Sequence, residues 1–480
     1  MNNPFDELAR GLAQSVTRRG ALKKFGVGLA GVVLASLGLV RGADLYVDAS
    51  AAPGGNGSGV APYARITDAV ARARQLRQSA TIQASERIVI HVAAGNYTGT
   101  FGHTPVDNNA KKEVLPILLN VPNLTLTGAT VLERDASGLP TGLTKNPQTR
   151  LTSSETGDGA HQALLLICRT TDGAAGDGVT VAGFTFDEFP SGLGVVVDRV
   201  ADFALVDNAF VHTGIGTIAR LSSGIVEGNY YLNSSSVGPG IGGGSRNHPA
   251  RVTLSRNRST GAFGGADIRG EPSLRALDLG ANTLQLEPLQ LVFDRNQPKD
   301  LKNLPDTLDV VVQDNDFSGN LYTGLWCFFY SSNPLFGYST KDASQPKTAV
   351  VRATINGNTF TGNGDYGFVV EAGGVRRNNP RTELVSFTGA AQGNDIEGNG
   401  RSGVLFGFVS ADVSLGAATL QDFKYVEQST YSVNDVDGGL AGFDFDNPRT
   451  DPFSGTVLNN ALIVNGMTIP PGVKITSLKK

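Results

Sequence analysis

The chain has 480 residues, of which 18% are charged and 61 are glycine, and its formal net charge is −4 at pH 7. This weakly acidic balance argues against nucleic acid or an anionic membrane as a partner, because both are bound through basic patches. Two cysteines, Cys168 and Cys327, are too few for a disulfide framework and predict two buried thiols.

Residues 1–43 are predicted to be an export signal. The paired arginines Arg18 and Arg19 precede an apolar run at residues 25–40, which is short for a membrane span and rich in glycine and alanine. The segment resembles a bacterial twin-arginine signal, although Ala21 stands where that signal often has Phe. The resemblance implies a periplasmic, cell-surface or extracellular protein with no membrane contact once the signal is removed. An uncleaved anchor is the alternative.

A strand–helix–strand unit follows at residues 44–97. Residues 44–50 and 87–92 have the alternation of strands, and residues 63–78 have the spacing of a helix. The apolar positions of that helix share one face: Ile66, Ala69, Val70, Ala73 and Leu76. We interpret the unit as an N-terminal cap, because the first strands of a stack need cover for their unpaired backbone groups.

A short pattern recurs between about residue 194 and residue 408. An apolar run ends in Asn, a small turn follows, and Gly begins a second apolar run; the Asn positions are Asn208, Asn229, Asn257, Asn282, Asn315, Asn358 and Asn394. Repeated β units predict a solenoid, because one unit cannot bury its own apolar face. An Asn at one fixed corner tolerates a left-handed bend, and its amide can bond the amide of the next coil. Hairpin turns in a β-sandwich are the alternative.

This pattern resembles the right-handed parallel β-helix proteins of the pectin lyase-like group over about residues 44–410. The resemblance implies an all-β fold, a right-handed parallel β-helix solenoid with an N-terminal capping helix. Residues 411–480, where the pattern weakens, are predicted to form a C-terminal cap or tail. The fold hosts lyases, hydrolases, epimerases, adhesins and tailspikes, so it does not select a function.

Alternation along the strands that begin with Gly places one set of side chains on the outside of the stack. On successive coils this set contains Asp198, Asp267 with Arg269, Asp294, Trp326 and Glu371. The loop at residues 238–251 brings Arg246 and His248 towards the same sheet. In the group that the chain resembles, this sheet forms the saccharide groove. The alternative is an ordinary solvated face, which is also polar.

These residue types suit several reactions on a polysaccharide. Asp267 and Asp294 could act as acid and base in glycoside hydrolysis, or they could hold Ca²⁺ against a uronate. Arg269 could neutralise a uronate carboxylate, or act as the base as in lyases of the group. We therefore predict catalytic roles for Asp267, Arg269 and Asp294 with His248 assisting, and substrate binding by Trp326, Glu371, Arg246 and Asp198.

Specific signatures of known activities are absent from the sequence. It has neither the Gly-His-Gly and Asp-Asp motifs of polygalacturonases nor the Trp-Ile-Asp-His motif of pectate lyases. Residues 435–446 only partly match a calcium loop, and no other cofactor motif is evident. We predict an exported β-helix protein that binds an extracellular polysaccharide, for example a polyuronate. Cleavage by a lyase or hydrolase activity stays open, and the alternative is a non-catalytic envelope or adhesion protein.

Overall fold

The fold is known from a computed structural model, whose description omits several segments. The described residues are 41–101, 112–154, 162–243, 250–269, 307–330, 349–373, 385–392, 394–400, 402–409, 412–415, 424–425, 430–435, 456–458, 461–464, 467–468 and 474–476. The predicted export signal lies almost entirely outside the described residues. No helix within the ranges above has the length and apolarity needed to span a membrane.

One long parallel sheet contains eleven of the described strands. In spatial order they are Arg41–Val47, Arg87–Val92, Leu124–Thr127, Thr180–Ala182, Phe203–Val206, Ser223–Glu227, Ala250–Ser255, Thr307–Gln313, Ala349–Asn356, Val385–Gln392 and Asp412–Leu415. Their spatial order is their chain order, and every pairing between them is parallel. Each strand therefore belongs to one coil and pairs with the equivalent strand of the next coil.

A second parallel sheet contains sixteen of the described strands. Twelve form its main path: Lys474–Thr476, Thr430–Asp435, Ser402–Val409, Tyr366–Gly373, Thr323–Tyr330, Gly264–Arg269, Val237–Ile241, Ala209–Arg220, Thr185–Asp198, Thr149–Ser153, Gly95–Thr100 and Glu113–Val114. Four more pair beside it: Ile117–Leu119, Ala163–Cys168, Tyr230–Leu232 and Arg258–Thr260. The chain alternates between the two long sheets, which confirms the predicted fold class, a parallel β-helix.

Three small sheets complete the described strands. A parallel one contains Thr359–Thr361, Asp395–Glu397 and Lys424–Tyr425; an antiparallel one contains Thr456–Leu458, Ala461–Val464 and Met467–Thr468; and an antiparallel pair joins Leu132–Arg134 to Pro140–Leu143.

The predicted helix is present at Ile66–Gln78, and its predicted apolar face is buried. Its first residue follows Arg65, whose side chain makes no capping hydrogen bond. Glu113 caps the helix instead, since its carboxylate accepts the N–H groups of Ile66 at 2.7 Å and Thr67 at 2.9 Å. A carboxylate at this end also complements the helix dipole. A residue 47 positions away thus fixes the helix to the first coils.

The corner asparagines form the predicted ladder. Each side-chain amide donates to the Oδ1 of the next Asn at 2.9–3.1 Å, in the order Asn208, Asn229, Asn257, Asn315, Asn358 and Asn394. The prediction that Asn282 is a rung is wrong, because Asn257 bonds Asn315 directly; Asn282 itself lies outside the described residues. A second ladder, not predicted, joins Asn320, Asn363 and Asn399.

A column of glycines explains why the strands of the second sheet begin with Gly. A Cβ on Gly265 would lie 2.2 Å from the carbonyl oxygen of Gly324, and a Cβ on Gly324 would lie 2.5 Å from that of Gly367. Any side chain at these positions would collide with the backbone of the next coil. The recurring Gly is therefore required by the close approach of successive coils.

Candidate functional site

Strand alternation separates two faces at Gly264–Arg269 and Thr323–Tyr330. Ala266 and Ile268 belong to the interior core, as do Leu325 and Cys327 on the next coil. Asp267 and Trp326 are the residues between them, and their Cα atoms are partners in the parallel pairing. Because successive side chains of a strand point to opposite faces, Asp267 and Trp326 lie on the outer face, one coil apart.

Asp267 and Arg269 form an ion pair on this face. The guanidinium donates from Nε and Nη2 to Oδ2 of Asp267, and both distances are 2.7 Å. The Asp267 side chain is 10% exposed and that of Arg269 is 41% exposed. Oδ1 of Asp267 is buried and has no hydrogen-bond partner among the described residues. Burial raises the pKa of Asp267, and the positive charge of Arg269 only partly offsets that effect.

An aromatic row extends from Asp267 across the neighbouring turns. The row consists of Trp326, Tyr322 and Phe263, with 5.3 Å between the first two ring centroids and 5.2 Å between the last two. The rings of Phe263 and Tyr322 are nearly parallel, at 2°. Phe263 is 44% exposed, and the adjacent Leu321 is 71% exposed. The row therefore presents a flat apolar surface to solvent beside a buried carboxylate.

Gly240 occupies the outer position on the other side of Asp267. It is the Cα partner of Asp267 in the preceding coil, so Asp267 lies between a residue without a side chain and Trp326. Among the described atoms, the nearest to a Cβ placed on Gly240 would be the carbonyl oxygen of Thr217, at 3.4 Å. The outer face thus has space for a small group next to Asp267.

Asp198 does not belong to this surface. It lies on the outer face two strands before Gly240, but it is 0% exposed and its carboxylate pairs with Arg199 at 2.5 Å and Arg220 at 3.1 Å. The expectation that Asp198 faces solvent is wrong. The outer face of these earlier coils is a buried apolar cluster: Leu118, Ala163, Leu166, Cys168, Leu193 and Val196. Both cysteines are buried, as predicted.

The remaining predicted residues are only partly placed. Trp326 lies next to Asp267, which is the arrangement that the stripe prediction required. Glu371 lies in the strand Tyr366–Gly373 as the partner of Phe328. Asp294, Arg246 and His248 lie outside the described residues. Within the described part of the chain, no group of three or more His, Cys, Asp or Glu residues could hold a metal ion.

Sequence reasoning missed Phe263 and Tyr322. Both stand two positions before a glycine of the column, Gly265 and Gly324, in the turn that leads into the strand. The prediction considered only residues within the strands, so it overlooked the turns. Aligning the coils on their glycines would have shown an aromatic residue at the same position in two successive coils.

Comparisons with known proteins give distant likenesses only. No protein-family model and no curated protein matches the chain. Similar solved structures include ORF18 of Geobacillus virus E2, with 12% identity and a TM-score of 0.38 over 85% of this chain and 63% of that one. A glycoside hydrolase has 9% identity and a TM-score of 0.42, over 82% and 95% of the two chains.

The A-module of the mannuronan C-5 epimerase AlgE6 from Azotobacter vinelandii is also similar. It has 11% identity and a TM-score of 0.29 over 80% of this chain and 97% of that one. This chain spans less than two thirds of the viral protein's length. Likenesses at this level carry no functional argument.

Proposed function

We propose that this protein binds a polysaccharide on the outer face of its second sheet. The site consists of the aromatic row and the Asp267–Arg269 pair. The observation that carries the proposal is a solvent-exposed apolar row beside a buried carboxylate that has an unused acceptor. Sugar rings offer an apolar face and several hydroxyl groups, so a flat aromatic surface next to hydrogen-bonding groups suits them.

Export fits this substrate, and we propose that residues 1–43 direct it. Residues 44–97 and 411–480 would then close the two ends of the solenoid. Recovery of a shortened chain outside the cytoplasm tests the signal, and retention of the full-length chain there would contradict it.

Binding is tested by affinity electrophoresis of the purified protein in gels that contain a panel of polysaccharides. Phe263→Ala removes the most exposed ring of the row, and we expect about tenfold weaker binding, the usual effect of losing one well-packed aromatic contact. The matched control is Val60→Ala, because Val60 is 97% exposed and lies outside the row. Equal binding by wild type and Phe263→Ala would contradict the proposal.

Cleavage is a second candidate, favoured by the raised pKa of Asp267. A carboxyl that keeps its proton at higher pH can serve as a general acid for the glycosidic oxygen. Arg269, Asp294 and His248 are the further residues predicted to assist. Assays for new reducing ends and unsaturated products, run on the same panel with and without Ca²⁺, test this candidate. Binding without turnover would favour the non-catalytic alternative.

A further inference from the structure

We propose that the sugar unit held beside Asp267 is uncharged, and that one of its hydroxyl groups donates a hydrogen bond to Oδ1 of Asp267 in the space over Gly240. The inference rests on the proposed function and specifies its substrate class. It favours a neutral polysaccharide over the polyuronate that the sequence suggested.

The charges around the aromatic row are already balanced. Both described hydrogen bonds between Arg269 and Asp267 end on one carboxylate oxygen, Oδ2, so the pair has no net charge. The other described charged residue joined to the row is acidic: the backbone N–H of Asp365 donates to the carbonyl oxygen of Tyr322 at 2.7 Å. A uronate carboxylate needs a cation that is not already neutralised. Here it would meet one balanced pair and a further acid, which disfavours it.

The buried Oδ1 atom indicates what the site accepts. Buried polar atoms are almost always hydrogen-bonded, and Oδ1 has no partner among the described residues although the Asp267 side chain is 90% buried. A carboxylate oxygen can only accept, so the missing group is a donor. Sugar hydroxyl groups are donors without charge. A site that needs a donor also discriminates strongly against ligands that place an acceptor there.

The neighbours of Asp267 leave room for such a group. Gly240 contributes no side chain on one side, and Trp326 forms the wall on the other. A sugar ring lying against Trp326 would direct a hydroxyl group towards Oδ1. The geometry therefore combines an apolar wall, a single acceptor and an open position within one coil spacing, about 4.8 Å, on either side.

The test compares neutral polysaccharides, for example laminarin, mannan and galactan, with the polyuronates alginate and polygalacturonate. Wild-type protein should bind a neutral polysaccharide at least about tenfold more tightly than either polyuronate, the effect of one hydrogen bond to a charged group. Asp267→Asn keeps the shape but removes the charge that balances Arg269. In this variant neutral binding should weaken by about tenfold, and polyuronate binding should strengthen.

A second variant tests the space. Gly240→Val places a side chain beside Asp267, and it should abolish neutral binding while leaving the melting temperature unchanged. Gly240→Ala, with one methyl group, provides the graded step. If wild type prefers a polyuronate, or if Asp267→Asn does not shift the preference, the inference is overturned while the proposed function stands. If neither class binds and Phe263→Ala has no effect, both are overturned.

Discussion

The outer face of the second sheet carries two aspartate–arginine clusters with the same chemistry at different depths. Asp198 with Arg199 and Arg220 is closed, with side chains 0%, 3% and 4% exposed. Asp267 with Arg269 is open on one side, at 10% and 41%. A buried ion cluster fixes a local structure, whereas a cluster at the edge of burial keeps atoms available for a ligand. Depth rather than residue type separates the two roles.

The outer column of the sheet explains the difference in depth. Leu166, Val196 and Ile218 are paired in successive coils and belong to an apolar cluster. The next coil has Gly240 at this position, and Asp267 and Trp326 follow. The face thus changes from apolar and buried to polar and aromatic at Gly240. We therefore expect the first part to respond to substitution in stability and the second part in binding.

The largest expected effect is at Asp198. Asp198→Ala leaves Arg199 and Arg220 buried without their shared carboxylate, and removing one partner of a buried cluster costs about 3–5 kcal/mol. Urea unfolding monitored by circular dichroism measures the change, with the midpoint and the slope fitted separately. Polysaccharide binding by the folded fraction should not change. A loss of stability below about 1 kcal/mol, as exposed pairs show, would mean that depth does not separate the clusters.

The ladder, the glycine column and the capping helix could be predicted because each has a local cause. A corner that bends to the left, a backbone too close for a Cβ, and an apolar stripe at helical spacing all leave a periodic mark in the sequence. Asn282 shows the limit. It has the same local pattern as the rungs, but only the pairing of Asn257 with Asn315 reveals that the ladder passes it by.

The candidate site was less predictable, since it depends on what covers each side chain. Period-two alternation assigned Asp198 and Asp267 to the outer face, but alternation carries no information on whether that face is covered. The buried Oδ1 of Asp267 and the parallel rings of Phe263 and Tyr322 are tertiary facts of the same kind. The sequence contains these residues in plain view, yet their neighbours come from separate coils.

A smaller effect on stability is expected at Asp267. Asp267→Asn leaves Arg269, which is 41% exposed and retains access to water, so we expect a cost of about 1 kcal/mol at neutral pH. Unfolding of this variant and of wild type in the same urea series measures it. A cost as large as that of Asp198→Ala would contradict the comparison between the two clusters.

The pH dependence of this difference has a definite sign. Because burial raises the pKa of Asp267, the folded protein holds that proton more tightly than the unfolded chain does. Wild-type stability relative to Asp267→Asn should therefore be greatest below the ordinary aspartate value of about 3.9 and fall as pH rises through the raised pKa. The opposite slope would show that Arg269, rather than burial, dominates.

The smallest effect is expected at an exposed pair on the first sheet. Asp309 is 31% exposed and lies between Arg251 and Arg352, which are 65% and 58% exposed; Arg352 donates from Nη2 to its Oδ2 at 3.0 Å. Asp309→Ala leaves both arginines in water, so the cost should be about 0–1 kcal/mol and should shrink further in high salt. The measurement is urea unfolding at low and high ionic strength, beside Asp198→Ala. If Asp309→Ala costs as much as Asp198→Ala, the number of arginines around the carboxylate decides stability, and burial does not.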